Sequence, residues 1–132
     1  MKSFILFLIY AALALPGAVY ACSCVAPENL EIGEFADYVF LGEVNSKPWS
    51  FSFSQNKYKF SVKKTLLGAG QKEVVIWTDK FTSACGYPYK KGVEYLIIAS
   101  TNGKKQESGL CSSWPVNSEA AKLILTKLTT KP

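Results

Sequence analysis

Four cysteines, Cys22, Cys24, Cys85 and Cys111, constrain the fold of this chain more than any other feature, because of the segment that precedes them. Met1 and Lys2 make a short positive start, and Phe4 to Leu15 is an almost unbroken apolar run ended by Pro16-Gly17. Val19, Tyr20 and Ala21 then supply a small-residue cleavage site. A charged tip, an apolar stretch of about a dozen residues and a small residue before the cut describe a secretory signal peptide over residues 1–21. A membrane span needs roughly 20 apolar residues. An even number of cysteines in an exported chain reads as two disulfides, with three possible connectivities. Acylation of Cys22, as in bacterial lipoproteins, is the alternative fate of that first cysteine; Tyr20 opposes it, since small residues normally stand there.

Residues 22–132 form one domain of 111 residues, a size that buries a core only marginally unless it is stapled. The chain's 15 basic residues are all lysine, and with Lys2 in the leader the other 14 stand against 10 acidic residues, a net charge of +4. There is no His. Its lack excludes Ser-His-Asp and Cys-His nucleophile systems and every His-ligated metal site, and oxidised cysteines leave no thiolate for a metal. The chain is therefore expected to be no enzyme and to carry no cofactor of its own. With no second apolar span, a secreted, extracellular, soluble and monomeric product is expected.

The pattern of the mature segment is mainly β. Pro27 to Ala36 reads as a short helix opened by Pro27, with Glu28, Glu31 and Glu34 outside, Leu30 with Phe35 or Ile32 inside, and Gly33 weakening it. Tyr38 to Leu41 within Asp37–Val44 is a continuous apolar strand, and Lys57 to Val62 alternates with the period of two of a half-buried strand. A loop or hairpin tip with Pro48, Trp49, Phe51 and Phe53 joins them. Further strands are expected at Val74–Trp77 after Gly68-Ala69-Gly70, at Val93–Ser100 after Lys91-Gly92, and at Glu107–Cys111 after Asn102-Gly103. Asn117 or Ser118 caps a tail helix to Leu128, with Glu119 in its first turn and Ala121, Leu123, Ile124, Leu125 and Leu128 at helical spacing. Five short strands with helices at the ends suggest a small five-stranded barrel of the oligonucleotide/oligosaccharide-binding (OB) type.

Cys22-Ser23-Cys24-Val25-Ala26-Pro27 stands at the start of the mature chain, followed by Ser83-Ala84-Cys85-Gly86-Tyr87, Glu94-Tyr95-Leu96-Ile97-Ile98-Ala99, and Cys111-Ser112 with Trp114 and Asn117-Ser118. On these segments the sequence resembles the inhibitory N-terminal domain of the tissue inhibitors of metalloproteinases, in the netrin-like superfamily. The resemblance spans nearly the whole of 22–132. It implies a netrin-like barrel with disulfides Cys22–Cys85 and Cys24–Cys111, each closing a long loop in the unfolded chain and so contributing about 4 kcal/mol, less for the overlapping pair.

The resemblance also implies a mechanism. Once the leader is removed, the free α-amine and the carbonyl oxygen of Cys22 chelate the catalytic zinc of a target protease, displacing its water. Ser23 then enters the specificity pocket, Cys24, Val25, Ala26 and Pro27 continue along the cleft, and Thr82, Ser83 and Ala84 fill the other side. The implied partners are zinc metalloproteinases of the matrix metalloproteinase or metzincin type, and the zinc belongs to them.

Two departures from the family stand out. A third disulfide has no counterpart, which leaves the tail helix without a covalent tie, and the cysteine-rich C-terminal domain of the animal inhibitors is missing. The alternative function is a netrin-like extracellular binding module for a protein or glycosaminoglycan, without protease inhibition. A glycosaminoglycan version would use Lys57, Lys59, Lys63 and Lys64, or Lys90, Lys91, Lys104 and Lys105. Single-strand nucleic-acid binding suits such a barrel but conflicts with export, so no nucleic-acid partner is expected. Trp77 and Trp114 read as core or sheet-face residues, whereas Trp49, Phe51 and Phe53 either extend a partner surface or fold back onto the barrel.

Overall fold

A computed structural model describes residues 22–130, together with positions 1 and 5; the side chains of Glu34 and Phe35 fall outside the description. The expected signal segment 1–21 and its cut, and the inward placement of Phe35, therefore lie outside the described residues. Among the described residues, no helix is long and apolar enough to cross a membrane.

The strands are β1 (Tyr38–Ser46), β2 (Gln55–Leu67), β3 (Glu73–Asp79), β4 (Glu94–Asn102), β5 (Lys105–Glu107) and β6 (Ser113–Pro115). Antiparallel pairing links β1 to β2, β2 to β3 and β4 to β5, a short parallel pairing joins β3 to β5, and β1 pairs a second time with β4. The cycle β1-β2-β3-β5-β4-β1 closes a five-stranded barrel with the strand order of an OB fold, and β6 is an added strand on β4. Three register irregularities along β1 and β2 supply the local bending that lets neighbouring strands curl into closure.

The continuous apolar run in β1 has a direct cause: both of its faces are buried. Tyr38, Phe40 and Val44 point into the barrel with Tyr58, Phe60, Val74, Ile76, Tyr89, Tyr95, Ile97 and Ala99. Val39, on the other face, joins Leu96 and Ile98 of β4 beneath the tail helix, where Ala121 and Ile124 are fully buried and Leu125, Leu128 and Trp114 pack around them. This helix, α2 (Glu119–Thr130), starts where Ser118 Oγ accepts the Ala121 N–H at 3.2 Å, so the capping residue is Ser118. Packing holds it to the barrel without a disulfide of its own.

Two local expectations need correction. The helix over Pro27–Ala36 is instead a 3-10 turn at Pro27–Asn29 and one α-turn, α1 (Ile32–Phe35), separated by extended backbone at Leu30 and Glu31. Leu30, Ile32 and Ala36 all pack against the cluster under α2. Residues two apart on a helix point to different sides, so the break is what lets Leu30 and Ile32 face inward together. The fifth strand occupies Lys105–Glu107, not Glu107–Cys111, because residues 108–111 are drawn into turns against Cys85, with the Leu110 N–H donating to the Cys85 carbonyl at 2.8 Å.

The barrel interior is rich in tyrosine. Phe60 meets Phe40, Tyr89 and Tyr95 edge-on, with ring centroids 5.6, 5.1 and 6.4 Å away. Tyr89 is buried with its hydroxyl 2.5 Å from Ser113 Oγ. Burial pushes its pKa well above the usual tyrosine value, outweighing the hydrogen bonds from Ser113 and Ser108 that lower it; burial also raises those of Tyr58 and Tyr87. A folded pKa above the unfolded one leaves stability intact below the unfolded value and removes it as pH climbs toward the folded one. The urea midpoint is thus expected to be flat from about pH 7 to 9 and to fall above about pH 10, less steeply in Tyr89→Phe. An equally steep fall in that variant would assign the effect to other groups.

Candidate functional site

Cys22 to Ala26 carry no regular secondary structure, with Ser23, Cys24, Val25 and Ala26 exposed. Exposed segments without regular secondary structure are normally mobile, and this one, with the turn that follows it, is held at four points. Cys22 is bonded to Cys85 and Cys24 to Cys111, the Cα atoms being 5.3 and 5.0 Å apart. These are the two pairings the resemblance implies. The bridges adjoin each other, with Cys22 Sγ 3.9 Å from Cys111 Sγ. Further along, Lys127 of α2 reaches back with Nζ 3.0 Å from the Pro27 carbonyl and donates also to that of Glu28. A cation at the end of a helical turn satisfies carbonyls that the turn leaves open.

The opposite side of the site is the 3-10 turn Thr82–Ala84, all three residues exposed. The Phe81 carbonyl accepts the N–H groups of Ala84 and Gly86, each at 3.0 Å, and the Thr82 carbonyl accepts that of Cys85 at 3.0 Å. Cys85 ends the turn with φ of +64°, a left-handed conformation rare for a residue with a side chain. Such strain persists where the surroundings over-determine it. Here the surroundings are the bridge to Cys22, the Leu110 N–H on its carbonyl, and two close backbone passages. A Cβ on Gly86 would lie 1.9 Å from the Asp79 carbonyl oxygen, and one on Gly109 would lie 2.2 Å from that of Cys85. Only glycine fits either place, which is the physical content of the Cys85-Gly86-Tyr87 segment. Buried Thr78 completes the clamp, its Oγ1 accepting the Tyr87 N–H at 2.9 Å.

The structure thus brings Cys22, Ser23 and Cys24 to the same edge as Thr82, Ser83 and Ala84, joined through the Cys22–Cys85 bridge, with Val25, Ala26 and Pro27 leading away toward α2. The sulfurs of Cys22, Cys85 and Cys111 lie within 4.8 Å of one another, a spacing that suits a metal, but every cysteine is in a disulfide and none is a thiolate. No protein-family model matches the chain, and no curated protein matches it.

Three parts of the site escaped sequence reasoning. Gly109 carries a signal, a glycine two residues before a cysteine, but nothing in the sequence says which backbone it must approach. The Lys127 clamp spans about a hundred residues and has no local signature. The left-handed Cys85 looks like any other cysteine.

Proposed function

We propose that this chain is a secreted inhibitor of zinc metalloproteinases, acting as the tissue inhibitors do. Cleavage after Ala21 frees the α-amine of Cys22, and that amine and the Cys22 carbonyl oxygen close a five-membered chelate ring on the catalytic zinc of the target. Zinc in a protease keeps one position open for water, and the chelate takes it. Ser23 occupies the specificity pocket, Cys24 to Pro27 follow the cleft, and Thr82 to Ala84 fill its other side.

The observation that carries this reading is the anchoring of the exposed, irregular segment after Cys22 by two adjacent disulfides beside the exposed turn Thr82–Ala84. Such anchoring makes the ordering cost fall on folding instead of binding, which raises affinity.

The test is inhibition of a panel of zinc metalloproteinases by folded protein beginning at Cys22, its amine confirmed free by mass. Inhibition supports the proposal; its absence across the panel favours a netrin-like binding module. A pH dependence accompanies the chelate. Only the neutral amine binds zinc, so raising the pH from about 6.5 to 8.5, through an amine pKa of about 7.7 to 8.0, is expected to strengthen inhibition about twentyfold. A flat profile, against a protease itself insensitive over that range, would speak against the amine as ligand.

A further inference from the structure

The loop joining β1 to β2 exposes what the rest of the fold hides. Trp49, Phe51 and Phe53 are 74, 84 and 97 % accessible, and Phe81, in the adjoining β3–β4 connection, is 66 % accessible. The two connections are tied together where the Lys80 N–H donates to the Ser54 carbonyl at 2.9 Å. The segment Trp49-Ser50-Phe51-Ser52-Phe53-Ser54 alternates strictly, and its serines work on the loop itself. Ser50 Oγ accepts the Ser52 N–H at 3.2 Å, and Ser52 Oγ accepts the N–H groups of Ser54 and Gln55 at 3.4 and 3.1 Å. Hydroxyls thus satisfy the loop's own backbone, and the aromatic rings are left outside. Trp49 and Phe51 pack edge-on at 4.1 Å against each other, not onto the barrel.

Two lysines stand at the base of this tip. Lys47 and Lys80, with Ser50 and Asn56, line a small notch beside Trp49. Asp79 precedes Lys80 and lines the depression on the Cys85–Gly109 side, and the Glu107 carboxylate accepts from Gln55 and Asn102.

We propose that this tip docks into the surface of an anionic lipid bilayer, Trp49, Phe51 and Phe53 entering the boundary between headgroups and acyl chains while Lys47 and Lys80 meet lipid phosphates. Contiguous exposed aromatics mark an interaction site. The three rings are largely exposed, and a fluid bilayer accepts exposed rings without a matching pocket. Tryptophan and phenylalanine favour the membrane interface, and each lysine near an anionic surface adds further attraction. The chain would lie on the bilayer, orienting the edge formed by Cys22 and Thr82–Ala84 relative to it. This proposal does not depend on protease inhibition.

Vesicle flotation tests it with protein beginning at Cys22 and vesicles that contain no protease, so its outcome is separate from that of the inhibition assay. Binding to vesicles of phosphatidylcholine with phosphatidylserine is expected, with bromine-labelled acyl chains quenching tryptophan emission in the native protein and much less in Trp49→Phe. Phe51→Ser/Phe53→Ser should weaken binding about a hundredfold, and Lys47→Glu/Lys80→Glu about tenfold and only on the anionic vesicles. Phe51 and Phe53 lie outside both core clusters, whereas Lys47 Nζ lies 5.5 Å from the ring centroid of buried Tyr58, so an unchanged melting curve is required of each variant. The proposal is overturned by failure to bind the phosphatidylserine-containing vesicles or by undiminished binding of the phenylalanine variant. A dimer that this variant dissolves would also overturn it, since the tip would then be covered by a second copy.

Discussion

A single alanine placed ahead of Cys22 is expected to weaken metalloproteinase inhibition by about a thousandfold or more, the loss of about 4 kcal/mol of binding free energy. The extension turns the α-amine into an amide nitrogen, which does not ligate zinc, and adds a residue where the protease's own ligands crowd the metal. The fold should not notice. Cys22 is held by its side chain to Cys85, and the exposed segment that follows it is tied by Cys24–Cys111, so neither anchor depends on a free amine. The decisive comparison is therefore a loss of inhibition with an unchanged melting temperature. Equal inhibition by the extended protein would remove the chelate from the account.

The second large effect concerns the staples. Cys24→Ser/Cys111→Ser opens a bridge between residues 87 apart in sequence. The loop-entropy model assigns such a bridge about 4 kcal/mol, reduced here because Cys22–Cys85 closes an overlapping loop. An observed cost of about 2–4 kcal/mol, or a melting temperature lower by roughly 10–20 °C, is expected in this small domain. Calorimetry reads it directly. The variant should also inhibit less well, because Ser23 to Ala26 would be tethered at Cys22 and, through Lys127, at Pro27, with nothing holding the middle. A melting temperature that drops by less than about 3 °C would mean that the bridge is redundant to the fold.

The barrel was legible in the sequence because its strands carry periodic signals. Lys57–Val62 alternates, and the unbroken run at Tyr38–Leu41 reflects a strand buried on both faces, one by the barrel interior and one by α2. The tail helix was legible from its cap and spacing. The N-terminal helix was misread because Leu30 and Ile32 satisfy helical composition, whereas packing beneath α2 requires both on one side, and only a break achieves that. The position of β5 was missed by two residues because Gly109 and Leu110 answer to the carbonyl of Cys85, a contact between segments some twenty-five residues apart. Strand β6 has only three residues, too few for a period to declare itself.

For the site, the residue types were visible and their assembly was not. Cysteine count permits three pairings, and choosing Cys22–Cys85 with Cys24–Cys111 came from the resemblance, not from spacing; the structure has that pairing. The fate of the aromatic tip was open between exposure and folding back. The serines decide it, because they consume the loop's backbone donors and leave Trp49, Phe51 and Phe53 facing solvent.

The most direct test of the central claim is to watch the metal. In a zinc metalloproteinase reloaded with cobalt(II), visible absorption reports the number of ligands, strong for four and weaker for five. Adding protein that begins at Cys22 should convert the four-coordinate spectrum to a five-coordinate one as amine and carbonyl replace water, in step with inhibition, and the alanine-extended protein should leave it unchanged. Inhibition with an unaltered cobalt spectrum would contradict the account, placing the inhibitory contact away from the zinc.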